Sequence, residues 1–162
     1  MLLLMAGSFF LNGFAQNAPK IQRACAFYTE STPGMAMTDE KGNIINPKPI
    51  IERFIYVEYP GSKPPDIKTV LYEKTDYIPA VAKTTEIPIS IGKSQEDGKE
   101  VILTPRKGYS LWKVGLHVAN EKTTIPNKVK YIVIIYSVGL RSRSLPTFRL
   151  YKETQLMTPD RY

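Results

Sequence analysis

The sequence predicts an all-β fold, with two antiparallel sheets packed face to face as a β-sandwich. Three observations lead there. No apolar period of three to four residues persists after residue 15, while two-residue alternation recurs along the chain. Thirteen prolines and ten glycines interrupt that alternation at short intervals, as turns between short strands require. Cys25 is the single cysteine, so packing and sheet hydrogen bonds must supply the stability that an intramolecular disulfide cannot.

The chain opens on an apolar run from Met1 to Leu11, followed by Gly13-Phe14-Ala15 and then Gln16. The run is shorter than the ~20 residues that span a bilayer, and the small-x-small triplet after it resembles a cleavage site. The expectation is a signal peptide over 1–15 and a single all-β domain over 16–162. The protein is then secreted, or held in the periplasm or cell envelope, with no transmembrane span after signal removal.

Strands are expected at 21–29, 35–38, 43–45, 50–59, 67–73, 78–83, 87–93, 100–104, 109–118, 129–138 and 147–153. One or two of these eleven candidates are expected to drop out. Asp97-Gly98 and Lys41-Gly42-Asn43 read as hairpin turns, since glycine and asparagine take positive φ at little cost. Residues 60–66 contain Pro60, Pro64 and Pro65, which lack donors for a ladder, and read as a loop.

Alternation assigns faces within the strands. Trp112, Val114, Leu116 and Val118 share one side, and Lys113, Gly115 and His117 the other. Over 129–138 both sides are apolar, so the strand is central and covered on each face. Strands 50–59 and 147–153 read as half exposed. The expected core joins Trp112, Val114, Leu116, Val133, Ile135, Phe148 and Leu150 between two sheets. Trp112 near mid-domain gives an immunoglobulin-like architecture without the cysteine pair of antibody domains. A small closed β-barrel is the alternative.

Motif chemistry points away from catalysis. His117 is the single histidine and lies beside Lys113, so neither a histidine metal site nor a His-dependent triad has its parts. Ser110 and Lys113 have the S-x-x-K spacing of serine acyl-transferases, but in a strand residues three apart lie ~10 Å from each other on opposite faces. Glu52 and Glu58 in one strand are ~20 Å apart, too far for a glycosidase pair. Asp39, Glu40 and Asn43, and likewise Glu96 with Asp97, lack the spacing of a calcium loop. Cys25 reads as a buried thiol. No catalytic residue, metal or cofactor is expected.

Charge carries the remaining signal. Residues 1–100 hold 11 Lys+Arg against 12 Asp+Glu, and residues 101–162 hold 11 against 3, so the net +7 is −1 plus +8. Leu140-Arg141-Ser142-Arg143-Ser144-Leu145 concentrates that excess between two strands, followed by Arg149 and Lys152, with Arg106 and Lys107 as candidate neighbours. Guanidinium forks match phosphate, sulfate or carboxylate oxygens. Arg141, Arg143 and Arg149 are therefore the candidate contact residues. The partner would be an anionic polysaccharide, a lipid headgroup or a protein surface; export disfavours nucleic acid.

The functional expectation is an exported, non-enzymatic module with a structural or partner-binding role. Two alternatives are a barrel carrier of a small apolar ligand and a hydrolase using carboxylates from separate strands.

Overall fold

The structure is a computed structural model and describes residues 19–32, 37–42, 44–45, 49–118, 129–138 and 145–158. The apolar run at 1–15 and the residues Arg141 and Arg143 lie outside these. Among the described residues there are twelve strands and no helix: β1 (Arg23–Ser31), β2 (Met37–Thr38), β3 (Ile44–Ile45), β4 (Ile50–Pro60), β5 (Asp66–Tyr72), β6 (Thr75–Lys83), β7 (Ile89–Lys93), β8 (Glu100–Leu103), β9 (Tyr109–Val118), β10 (Ile132–Ser137), β11 (Thr147–Leu150) and β12 (Glu153–Leu156). The protein is all-β.

Eight strands form one sheet in the order β11-β10-β5-β6-β9-β4-β1-β12, and β2–β3 and β7–β8 form separate two-stranded pairs. Within the large sheet every pairing is antiparallel except β1 with β12. Its two edge strands, β11 and β12, are separated in the chain only by Tyr151 and Lys152. So short a link spans roughly 10 Å between the flanking residues, so the first and last strands of the sheet must meet, and the sheet curls until it is nearly closed. This order fits the barrel alternative. The two comparable facing sheets of the sandwich are not what the strand order displays.

One side of the curled sheet gathers a core from seven of its strands: Ala26, Ile55, Val57, Val70, Tyr72, Tyr77, Trp112, Val114, Ile132, Ile134 and Tyr136, with Leu116, Phe148 and Leu150 packed against them. Alternation over 111–118 therefore selects the right face of β9. Over β10 it does not. Val133 and Ile135 are absent from this core, because the register Ile132↔Tyr72 and Ile134↔Val70 turns the even-numbered residues inward. Both faces of β10 are apolar, so periodicity alone had no means of choosing between them.

The outer side carries a second cluster, in which the β7–β8 hairpin brings Leu103, Ile89, Ile91 and Val101 onto Phe27, Tyr56, Leu111 and Leu156. This hairpin buries β4 on its outer face as well. The half-exposed reading of 50–59 is thereby corrected: Arg53 and 55–59 are all buried. Both glycine turns form hairpins, with Gly42 at φ 81 and Gly98 at φ 68. The single strand expected over 147–153 breaks at Tyr151 into β11 and β12, so the count rises to twelve rather than falling.

Trp112 is 4% exposed at the centre of the inner core, whereas Ile78 on β6 is 57% exposed. Trp112→Ala should lose about 3–5 kcal/mol through lost burial and a residual cavity. Ile78→Ala should stay within about 0.5 kcal/mol of the parent. Urea unfolding of both variants checks the assignment; comparable losses from the two would contradict it.

Candidate functional site

Two polar assemblies stand out from the apolar fold. The first lies inside the curled sheet, where β12 contributes no residue to the inner apolar core and instead turns Glu153 and Gln155 toward Arg53 and Tyr28. Arg53 sits on the inward face of β4 with Ile55 and Val57, and its side chain is 1% exposed. Its Nε stands 3.2 Å from Glu153 Oε1. Its guanidinium packs over the rings of Tyr28 and Tyr72, 5.8 and 5.3 Å from their centroids. The Tyr28 hydroxyl donates to Gln155 Oε1 at 2.9 Å, and Tyr72 leans on Tyr77 with ring centroids 5.0 Å apart. Burial pushes the Glu153 carboxyl above its ordinary range, and Arg53 and the Tyr72 hydroxyl offset only part of that. Burial, reinforced by Glu153, likewise raises the Tyr72 phenol far above its usual value.

The second assembly marks the seam where the sheet fails to close. The β1–β12 ladder begins at Ala26↔Glu153 and runs to Thr29↔Leu156. Among the described residues, Arg23, Ala24 and Cys25 have no strand partner on that side, and β11 pairs only with β10. Between them lies a groove of about 610 Å³, lined by 22–27 and 148–152 together with Val101, Leu103, Arg106 and Thr154. Four basic side chains border it: Arg23, Arg106, Arg149 and Lys152.

Two of the four are anchored from beneath. Glu58 has a side-chain exposure of 0% and takes Arg23 Nε at 2.9 Å and Arg106 Nε at 3.6 Å. Its Oε1 also accepts the Arg106 backbone N–H at 3.3 Å. Arg23 donates to the Thr104 carbonyl at 2.8 Å as well. Lys152 pairs with the exposed Glu96 at 2.8 Å, a surface contact that holds it only weakly. Four cations against Glu58 and Glu96 leave a surplus of two positive charges. No family model, no curated protein and no solved structure matches the chain.

The candidate residues are thus distributed unevenly. Arg149 lies on this groove together with Arg106 and Lys152, whereas Arg141 and Arg143 fall outside the described residues. Arg23 was missed, because it belongs to the charge-balanced part of the chain and only the β1–β12 seam brings it to Arg149. Cys25 lines the same groove, half-buried, its thiol raised chiefly by burial. Ser110 and Lys113 are drawn apart: the Ser110 hydroxyl donates to the Gly61 carbonyl at 2.7 Å, and Lys113 Nζ lies 4.8 Å from the Phe54 ring centroid. Across strands, Phe54 stacks on Phe27 at 5.9 Å between ring centroids, and Tyr56 meets Phe27 edge-on at 6.2 Å. Glu52 is exposed and Glu58 buried, so they share no cleft. Among the described residues no three His, Cys, Asp or Glu side chains form a group suited to a metal ion.

The interior pair makes two testable demands. Arg53→Met, which leaves a buried carboxylate without its cation, should cost about 3–5 kcal/mol, and the double variant Arg53→Met/Glu153→Leu should recover most of the loss. Denaturant titration of both variants measures the difference; equal losses would mean that the pair is not coupled.

The second demand concerns pH. A folded pKa raised above the unfolded one means that the fold favours the neutral acid. Glu153's contribution is then fully present below its unfolded pKa and is lost as pH rises through the folded pKa. Over the window that opens as pH rises above about 4, the ordinary carboxyl value, the parent should therefore lose stability relative to Glu153→Gln, which is neutral throughout. Thermal melts across that window that keep a constant gap would contradict the shift.

Proposed function

We propose that the protein is an exported, non-enzymatic all-β module that binds an anionic partner at the cell envelope or exterior, with the seam groove as its contact surface. In this reading the nearly closed sheet is a small β-barrel. The observation that carries the proposal is the convergence of Arg23, Arg106, Arg149 and Lys152 on one groove, two of them held in place over the buried Glu58. Preset guanidinium groups lose less freedom on meeting an oxyanion than free ones do. Arg141 and Arg143, expected from the sequence as contact residues, lie outside the described residues.

The sequestered carboxylates favour binding over hydrolysis. Glu153 faces the interior and is occupied by Arg53, while Glu58 lies under the outer layer. The interior is occupied by Tyr72, Ile55, Ile132, Ile134 and their neighbours, which favours a contact surface over a carrier cavity. Export rests on the apolar run and the Gly13-Phe14-Ala15 triplet. Mature secreted material should begin at Gln16 by N-terminal sequencing; Met1 retained on cytoplasmic protein would overturn it.

Arg149→Ser/Lys152→Ser should elute from sulfated or carboxylated matrices at markedly lower salt than Lys63→Ser/Lys68→Ser, which removes the same charge elsewhere. The gap should narrow above physiological salt, where screening leaves only charges within about 8 Å in contact. Identical elution of the two double variants at low salt would reduce the groove to ordinary solvated surface.

A further inference from the structure

Resting on that reading, we propose that the groove takes a sugar carrying a sulfate or phosphate ester, whose tetrahedral oxyanion is bridged by Arg23 and Arg106. Each guanidinium is tied to Glu58 through Nε, Arg23 to Oε2 and Arg106 to Oε1, and Arg23 Nη2 also donates to the Thr104 carbonyl. Among the described residues, Arg23 Nη1 and both Nη groups of Arg106 have no protein partner. A guanidinium carries five N–H donors in one rigid plane, so anchoring through Nε holds the plane and leaves outer donors for the groove. One carboxyl group thereby sets two forks next to each other. A carboxylate ligand has two oxygens in a single plane and is satisfied by one fork. A sulfate or phosphate ester has three terminal oxygens that share no plane with the ester bond, so it can accept from both forks at once. Glu58 cancels one of the two positive charges, and Arg149 on the β11 wall replaces it.

The surroundings favour a sugar as the carrier. Tyr151, in the two-residue link between β11 and β12, lines the groove and is 73% exposed. An aromatic face therefore stands free next to Lys152. Such a face carries negative partial charge, which suits the weakly positive C–H groups on the flat side of a sugar ring. Charge beyond the groove opposes a membrane. A neighbouring depression is lined by Glu96, Asp97 and Glu100, and it shares Val101, Lys152 and Thr154 with the groove. A broad anionic lipid surface pressed onto the cations would meet those three carboxylates as well, whereas a single sugar chain can follow the groove and avoid them. An unmodified acidic peptide offers only planar carboxylates, each of which leaves one fork unused. A volume of about 610 Å³ lies within the range of specific ligand sites.

The test titrates the full mature chain with monosulfated glucose, glucuronate and inorganic sulfate, followed by NMR at low salt, where surface charges are least screened. Monosulfated glucose should bind at least about fivefold more tightly than glucuronate, a sugar of the same charge with a planar anion. Arg23→Lys and Arg106→Lys keep the charge but remove a fork, and each should abolish that difference. The Arg106 side chain is 59% exposed, so its variant tests the clamp even where Arg23→Lys disturbs the fold. Tyr151→Ala should weaken monosulfated glucose and leave inorganic sulfate unchanged. Equal binding of monosulfated glucose and glucuronate, both weakened by Arg149→Ser/Lys152→Ser, would overturn the clamp and leave a groove for anions in general. A Tyr151→Ala variant that binds monosulfated glucose as the parent does would overturn the sugar. Firmer retention on vesicles of phosphatidylcholine and phosphatidic acid than on a sulfated dextran matrix would do the same. Insensitivity of every ligand to Arg149→Ser/Lys152→Ser would overturn the groove itself, and with it the proposed function.

Discussion

The contact between Arg53 and Glu153 reaches from β4 past the intervening β1 to the last strand of the sheet, β12, and the docking of that strand is built around it. Removing two charges from water costs several kcal/mol for each ion, and their attraction repays this only with good geometry and further polar neighbours. Here the neighbours are supplied: Tyr28 and Tyr72 offer ring faces to the guanidinium, and Tyr77 Oη lies 3.5 Å from Nη1. The inward residues of β12 are Glu153 and Gln155, so this strand cannot be recruited by apolar burial on that face. Its position beside β1 is instead specified by pairing Glu153 with Arg53 and Gln155 with Tyr28. A polar contact of this kind adds little net stability but penalises a one-residue slip of β12, which would leave both charges buried and apart.

The outer layer completes the job. The β7–β8 hairpin supplies apolar cover for β1, β4 and β9, and it also reaches the exposed edge of β12. Ser94 bridges Leu156, the Gln95 N–H donates to the Gln155 carbonyl at 2.9 Å, and the Met157 N–H donates to the Lys93 carbonyl at 2.8 Å. That cover extends only as far as β12 does. Where the chain turns at Tyr151 and Lys152, the ladder to β1 stops and the seam opens. The groove is thus a consequence of how closure is achieved: four residues of β12 seal one end of the seam, and β11, still paired to β10, is left alongside the unsealed remainder.

Much of this was legible in the sequence, and the failures have physical causes. Strand placement, the Gly42 and Gly98 hairpins and the inward face of β9 follow from alternation and turn chemistry, which are local. The face of β10 was not legible, because Val133 and Ile135 are as apolar as Ile132 and Ile134, and only the register against β5 distinguishes them. Arg53 had a signal that could have been used: it has the same parity as Ile51, Ile55, Val57 and Tyr59, so a charge on that face had to be buried and partnered. Glu58 gave no such signal, since its burial comes from a hairpin far along the chain. The arginine cluster was only partly legible. Counting charge by segment finds Arg149 and Lys152, but Arg23 joins them through a parallel pairing of the first strand with the last, which no local pattern encodes.

The same four cations bear on a problem that every incompletely closed sheet faces. Unpaired edges invite copies of the same chain to stack, and proteins commonly block this with charge on the edge. Arg23 and Arg149 stand on the two strands that flank the seam, with Arg106 and Lys152 beside them, so two copies approaching edge to edge would bring like charges together. That repulsion does not depend on which partner is correct. It acts against this chain and other basic surfaces, and it disappears for an acidic one. In the proposed reading, protection against self-association and selection of an anionic partner are one electrostatic arrangement seen from two sides. Glu58 gives the arrangement its fixed geometry: because the carboxylate is buried under Arg23 and Arg106, the two guanidinium groups are positioned before any partner arrives. The seam can then remain open in the free protein without becoming an indiscriminate β-edge.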